Sequence, residues 1–214
     1  MPTLQERIPL TVPSVPTPKE FFRDFADRVR LRGFQLWTKN EPWTLLFLNE
    51  ILPGMAKESG LGARHKGPSE KEFSSIDEWC EESSHRIPHV ATESEVSEPK
   101  WKGGANTPLE DEAEKLSRIS CELKVSIYVY SHRKWIFESM TNDFYSKLND
   151  QFQAGYRAGG KFLFIGIERY KARCKPETYL FRGAQVFYDR GAGMHGCYRR
   201  SNLNLPTLKP CRTT

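Results

Sequence analysis

The chain contains no run of about 18 apolar residues, so it holds no helix able to cross a bilayer. Its best candidate, Trp43 to Leu52 (WTLLFLNEIL), is short and is broken by Asn49 and Glu50. The opening MPTLQERIPLTVPSVPTP lacks a basic stretch leading into an apolar one, which argues against a secretory leader. Cysteine is sparse: Cys80, Cys121, Cys174, Cys197 and Cys211 are odd in number and never in CxxC spacing. Neither a zinc site nor a disulfide framework is indicated, and reduced thiols in a cytosolic or nuclear setting are expected. Carboxylate pairs of the DxD kind are also missing around Asp143, Asp150, Glu168 and Asp189, so no Mg²⁺ site is expected.

Catalytic constellations are equally scarce. His85 and His89 stand four apart, but Pro88 opposes the helix that would place both imidazoles on one face. Cys197 follows His195 by two residues, and such adjacency is no evidence for a nucleophile and base that must meet through the fold. Gly155 to Lys161 (GYRAGGK) carries phosphate-cradle glycines but follows a helix and precedes a strand, the reverse of a P-loop. We therefore assign no catalytic residue, metal or cofactor, and expect a non-enzymatic protein.

What the chain does have is polarised charge. Residues 154–214 hold twelve Lys/Arg and three Asp/Glu, 12 − 3 = +9, whereas the 214-residue chain totals +5. Most of the offset lies in 67–116, with five basic and thirteen acidic residues, 5 − 13 = −8. Concentrated positive charge is costly in self-repulsion unless a polyanion relieves it, and the two opposed segments also offer head-to-tail self-association. The polyanion-binding candidates are Arg157, Lys161, Arg169, Lys171, Arg173, Lys175, Arg182, Arg199 and Arg200. Tyr156, Tyr170 and Tyr198 lie among them, where rings stack on bases or rest at a headgroup boundary. Arg169, Lys171, Arg173 and Lys175 are expected on one exposed rim at the end of an edge-like strand.

With 38% hydrophobic and 12% aromatic residues the chain has enough for a core. The reading is α+β: a small antiparallel sheet from the carboxy-terminal half packed with helices, plus an amino-terminal helical hairpin and a flexible arm. Prolines at 2, 9, 13 and 16 mark the arm, 1–16. The hairpin, 17–53, opens with the capping box Thr17-Pro18-Lys19-Glu20; Phe21, Phe22, Phe25 and Val29 form its apolar stripe. Its second helix, from Pro42, is expected to end at Pro53-Gly54. Residues 54–107 read as an acidic linker or mobile loop, with one amphipathic turn or two in SIDEWCEE. The α+β core, 108–190, begins with a second capping box at Thr107. Leu123, Val125, Ile127 and Val129 alternate with Lys124, Ser126, Tyr128 and Tyr130, predicting a strand with one buried face. A helix is expected over 141–152, then strands over 161–170 and 179–188 in a long-turn hairpin. Residues 191–214 form a basic tail.

Lys124 to Asp189 resembles the core of rhabdovirus matrix proteins. The pieces are an alternating strand (KVSIYVYS), a basic aromatic turn (HRKWIF), an aromatic-spaced helix (SMTNDFYSKLNDQF), a glycine-containing basic loop (AGYRAGGK) and two strands (FLFIGIERY, YLFRGAQVFYD). The resemblance implies a structural protein that condenses nucleocapsid, self-associates and lies peripherally on an anionic membrane. It places the protein in the virion and host cytoplasm, at the inner membrane face, with the nucleus as a further compartment. Pro13, Ser14, Val15 and Pro16 have the outline of the family's P[ST]AP motif, with Val15 where alanine is expected, which implies host budding factors as partners. The competing expectation is an RNA-binding host-interaction protein, such as a silencing suppressor or effector, using the same basic and aromatic residues.

Overall fold

The computed structural model describes residues 14–32, 46–65, 77–80, 88–95, 108–131, 137–153, 160–169, 180–189 and 197–203. Helix α1 (Pro18–Leu31) starts where the capping box requires: the Thr17 backbone N–H donates to Glu20 Oε2 at 2.8 Å and the Glu20 N–H donates to Thr17 Oγ1 at 3.3 Å. Its stripe of Phe21, Phe22, Phe25, Ala26 and Val29 is buried. The second helical segment differs from expectation. A π-helical turn (Phe47–Ile51) runs directly into α2 (Leu52–Glu58), so Pro53 and Gly54 lie inside a helix instead of ending one. Proline lacks an N–H and crowds the carbonyl four residues back, and the wider i to i−5 spacing, with the Leu52 N–H on Phe47 O, accommodates it. Gly54 leaves room for the Arg28 guanidinium of α1, since a Cβ there would lie 3.2 Å from Nη1. Arg28 pairs with Asp24 at 2.8 Å and with Glu58 at 2.5 Å, tying α1 to the end of α2.

Seven strands form one sheet in chain order: β1 (Gly62–His65), β2 (Asp77–Cys80), β3 (Val90–Glu95), β4 (Leu123–Ser131), β5 (Lys161–Arg169), β6 (Leu180–Asp189) and β7 (Cys197–Leu203). The class is α+β, but the sheet is mixed: β3, β4 and β5 are parallel, and every other neighbouring pair is antiparallel. The parallel pairs follow from crossover helices α3 (Pro108–Ser117) and α4 (Phe137–Gln153), because a strand, helix and strand in succession return the chain in the same direction. The β5–β6 pair is the expected hairpin. Three strands come from 54–107, where a linker is expected from sequence, and β7 comes from the segment expected to be a tail. SIDEWCEE supplies β2, whose buried Trp79 stacks on Phe21 with ring centroids 5.3 Å apart.

Helices cover both faces. Leu123, Val125, Ile127 and Val129 of β4 join α1, α2, Leu163, Ile165 and Ile167 in one core. Tyr128, Tyr130, Phe162 and Phe164 join Ala113 and Leu116 of α3 and Phe137, Met140, Phe144 and Leu148 of α4 in the other. The expectation of one buried face on β4 is thereby corrected: Lys124, Ser126, Tyr128 and Tyr130 are as inaccessible as the aliphatic set. α3 and α4 are held together by Glu114, which pairs with Arg118 close to its own helix and with Lys147 of α4 at 3.7 Å.

The amino-terminal helix docks through Phe25, fully buried with its ring 5.0 Å from that of Phe47. Phe25→Ala is expected to cost about 3–5 kcal/mol, and Phe25→Asp more, because it buries a carboxylate with no provision for its charge. Urea denaturation monitored by circular dichroism checks this; unchanged midpoints would show that α1 does not contribute to the core.

Candidate functional site

Parallel strands place the segments that follow β4 and β5 at the same end of the sheet, where open α/β sheets bind their ligands. β4 ends at Ser131 beside Arg169, the last residue of β5, and β6 begins at Leu180 next to Glu168. Both ends of the connector carrying Lys171, Arg173 and Lys175 are thus at this end, although the connector itself lies outside the described residues. So does the basic turn 132–136 between β4 and α4.

A polar cluster is built into the same end. Tyr130 and Glu168 are neighbours on β4 and β5, and the Tyr130 hydroxyl donates to Glu168 Oε2 at 3.2 Å. Arg182 of β6 donates from Nε to the same oxygen at 3.2 Å, and from Nη1 to Glu138 Oε1 on the first turn of α4, also at 3.2 Å. The inner carboxylate is buried, at 3% side-chain exposure, whereas the outer one is 51% exposed and Arg182 is 37% exposed. Burial raises the Tyr130 pKa well above the ordinary phenol value, and the Glu168 charge adds to the shift, so the hydroxyl remains a donor throughout the physiological range.

Gly166 sets where α4 begins. It lies between Tyr128 and Arg182 in the sheet register, and a Cβ there would come within 2.6 Å of the Phe137 ring and 3.0 Å of Tyr130 Cε1. The missing side chain seats Phe137 on the strand, which brings the adjacent Glu138 to Arg182. The guanidinium also lies over Phe137, 6.0 Å from the ring centroid.

The structure divides the basic set predicted from sequence. Arg169 and Arg182 belong to the end where β4 and β5 terminate, but β5 is flanked by β4 and β6, so the rim is not on an edge strand as expected. Lys161 is exposed at the start of β5, and its register partner Phe187 is itself paired with Arg199. Lys161, Arg199 and Arg200 therefore mark the opposite end, roughly 26 Å away along a nine-residue strand. Tyr198 of β7, an edge of the described sheet, is the register partner of Tyr188 of β6. Arg157, Tyr156, Tyr170 and Pro13 lie outside the described residues. Ser14 donates its N–H to Ser59 O at 3.2 Å and Val15 packs on the core, so this part of the motif-like stretch is anchored and does not hang free.

Tyr130, Glu138, Gly166 and Glu168 are absent from the site residues expected from sequence. The available signal is Glu168 itself, an acid inside the apolar run FLFIGIER, where burial demands a cationic or hydrogen-bonding partner. His89, which with His85 has the spacing of a metal pair, places Nδ1 2.9 Å from Glu122 Oε1; His85 lies outside the described residues. Among the described residues no group of three or more His, Cys, Asp or Glu is placed to hold a metal ion, and no helix is long and apolar enough to cross a membrane.

The buried Glu168 makes a direct prediction. Arg182→Gln removes the guanidinium beside its charge and is expected to cost about 2 kcal/mol, less than a fully buried pair because Arg182 is partly exposed. Tyr130→Phe removes one hydrogen bond and should cost about 1 kcal/mol. Chemical denaturation of both variants checks the order, and a larger loss for Tyr130→Phe would contradict it.

No family model matches the chain, and no curated protein matches it. Among solved structures, the central domain of yeast acetyl-CoA carboxylase is similar at 10% identity with a TM-score of 0.38, over 73% of this chain and 26% of that one. The chain thus spans about a quarter of the length of that structure.

Proposed function

We propose that the chain is a non-enzymatic, polyanion-binding assembly protein of a matrix-like kind, whose basic carboxy-terminal half takes RNA phosphate of a nucleocapsid or an anionic membrane surface. The observation that carries the reading is the +9 balance of residues 154–214. The fold supports a location for contact: Arg169 and both ends of the connector with Lys171, Arg173 and Lys175 are at the end where β4 and β5 terminate. Phosphates there meet cations carried by one connector, and binding would be governed by counterion release.

Self-association distinguishes a matrix-like role from a stand-alone RNA-binding module. The two edges of the described sheet, β1 and β7, are short strands of four and seven residues, and the opposed charges of 67–116 and 154–214 supply a long-range attraction between copies. Light scattering at low salt is expected to show assembly that dissolves as salt rises. A strict monomer that still binds RNA would favour the module.

The site is tested by replacing Arg169, Lys171, Arg173 and Lys175 together with Gln. For single-stranded RNA the plot of log affinity against log salt should flatten by about 0.7 for each phosphate that the variant no longer neutralises, with weaker sedimentation on anionic vesicles. An unaltered slope in a folded variant would remove this end of the sheet from the binding surface and leave Lys161, Arg199 and Arg200 at the other end.

A further inference from the structure

We infer that the outer edge of the Arg182 guanidinium is a phosphate subsite, and that Glu138 occupies it in the free protein as a built-in competitor. The inference rests on the polyanion-binding reading and adds to it the identity of one subsite and the group that regulates it.

Arg182 makes two unequal ion pairs. Its Nε is fixed on Glu168, a buried carboxylate that also accepts from Tyr130, so this inner contact orients the guanidinium plane. Its Nη1 meets Glu138, half exposed on the first turn of a 17-residue helix. Exposed ion pairs contribute little and exchange readily, whereas the inner pair is shielded from water. A phosphate replacing the Glu138 carboxylate would keep the same donor and present more oxygens to the planar fork. The position already suits an anion, because Glu138 lies where α4 presents its positive end. Gly166 and Phe137 hold that helix turn against the strand, so the competitor is placed by packing and not by chance contact of two long side chains. Arg169, the last residue of β5, and Leu180, the first of β6, put both ends of the connector at the same end of the sheet as the subsite.

The arrangement makes Glu138 a brake on affinity. A polyanion must displace one carboxylate to recruit Arg182, so a phosphate chain held by other cations leaves the pair intact while Glu138 is charged, and gains the Arg182 contact when that charge is removed.

The test compares the full-length wild type with Glu138→Gln and Asp150→Asn, using fluorescence anisotropy with a labelled oligouridylate across a salt series. Asp150 is exposed near the other end of α4, roughly 18 Å from Glu138 along the helix, and its substitution makes the same change in net charge. Glu138→Gln should bind about two- to fivefold tighter at low salt, as expected for one exposed charge contact. Its salt slope should steepen by about 0.7, for one added phosphate. Asp150→Asn should do neither. Adding Arg182→Lys to Glu138→Gln should abolish the gain, because one ammonium engaged with Glu168 has no second planar edge to offer. Binding by Glu138→Gln alone, with none by wild type, would be the strongest form of the expected result. If wild type binds but Glu138→Gln and Asp150→Asn shift equally, or the gain survives Arg182→Lys, the subsite is overturned while the polyanion reading stands. Absence of binding by wild type and every variant would overturn both.

Discussion

Covering the sheet on both faces governs nearly everything else in this molecule. Strands β4 and β5 have α1 and α2 on one side and α3 and α4 on the other, so side chains on either face leave water. On the first face the sequence supplies aliphatic residues and the requirement is met by packing alone. The second face also carries Lys124, Ser126, Tyr130 and Glu168, and each must find a partner inside. Ser126 donates to Glu112 of α3, Lys124 donates to the Cys121 carbonyl at 3.5 Å and lies over the Phe162 ring, and Tyr130 and Glu168 join Arg182. Burial lowers the Lys124 pKa, the expected consequence of placing an ammonium in this layer. The polar cluster at the strand ends is thus a product of fold and sequence together: where β5 approaches its end, a buried carboxylate reaches an arginine that also touches solvent.

Local signals are legible wherever one short segment contains the whole cause. The Thr17 capping box, the phenylalanine stripe of α1, the α3 start and the apolar runs of β5 and β6 are of this kind, and the structure realises each. Causes that depend on distant segments are not legible. Alternation in β4 is compatible with one wet face, and the helices that bury Lys124 and Ser126 are contributed by residues before and after it. Short β1 to β3 lack a long apolar run, and β2 and β3 are acidic; they are strands because they add to an existing sheet. Pro53-Gly54 reads as a stop in sequence, and the π-helical turn that absorbs it depends on the packing of α2 against α1.

The same distinction applies to the site. The basic residues are visible as a set, but their division between two ends of the sheet is a property of strand direction. Arg169 ends β5 and Arg182 lies near the start of β6, at the same end of the sheet but at positions of opposite face, while Arg199 and Arg200 of β7 lie toward the end where β5 begins. The Arg182 charge is already balanced within the protein. Net charge alone therefore overstates the cations available to a ligand and says nothing about which of them act together.

The central claim is that polyanion contact concentrates where β4 and β5 end. Photocrosslinking of the intact protein to RNA containing 4-thiouridine, followed by mass-spectrometric assignment of the crosslinked peptides, tests it most directly. Crosslinks confined mainly to 132–138 and 169–182 are the predicted result. Crosslinks at 157–161 and 197–203, with none in those two segments, would contradict it.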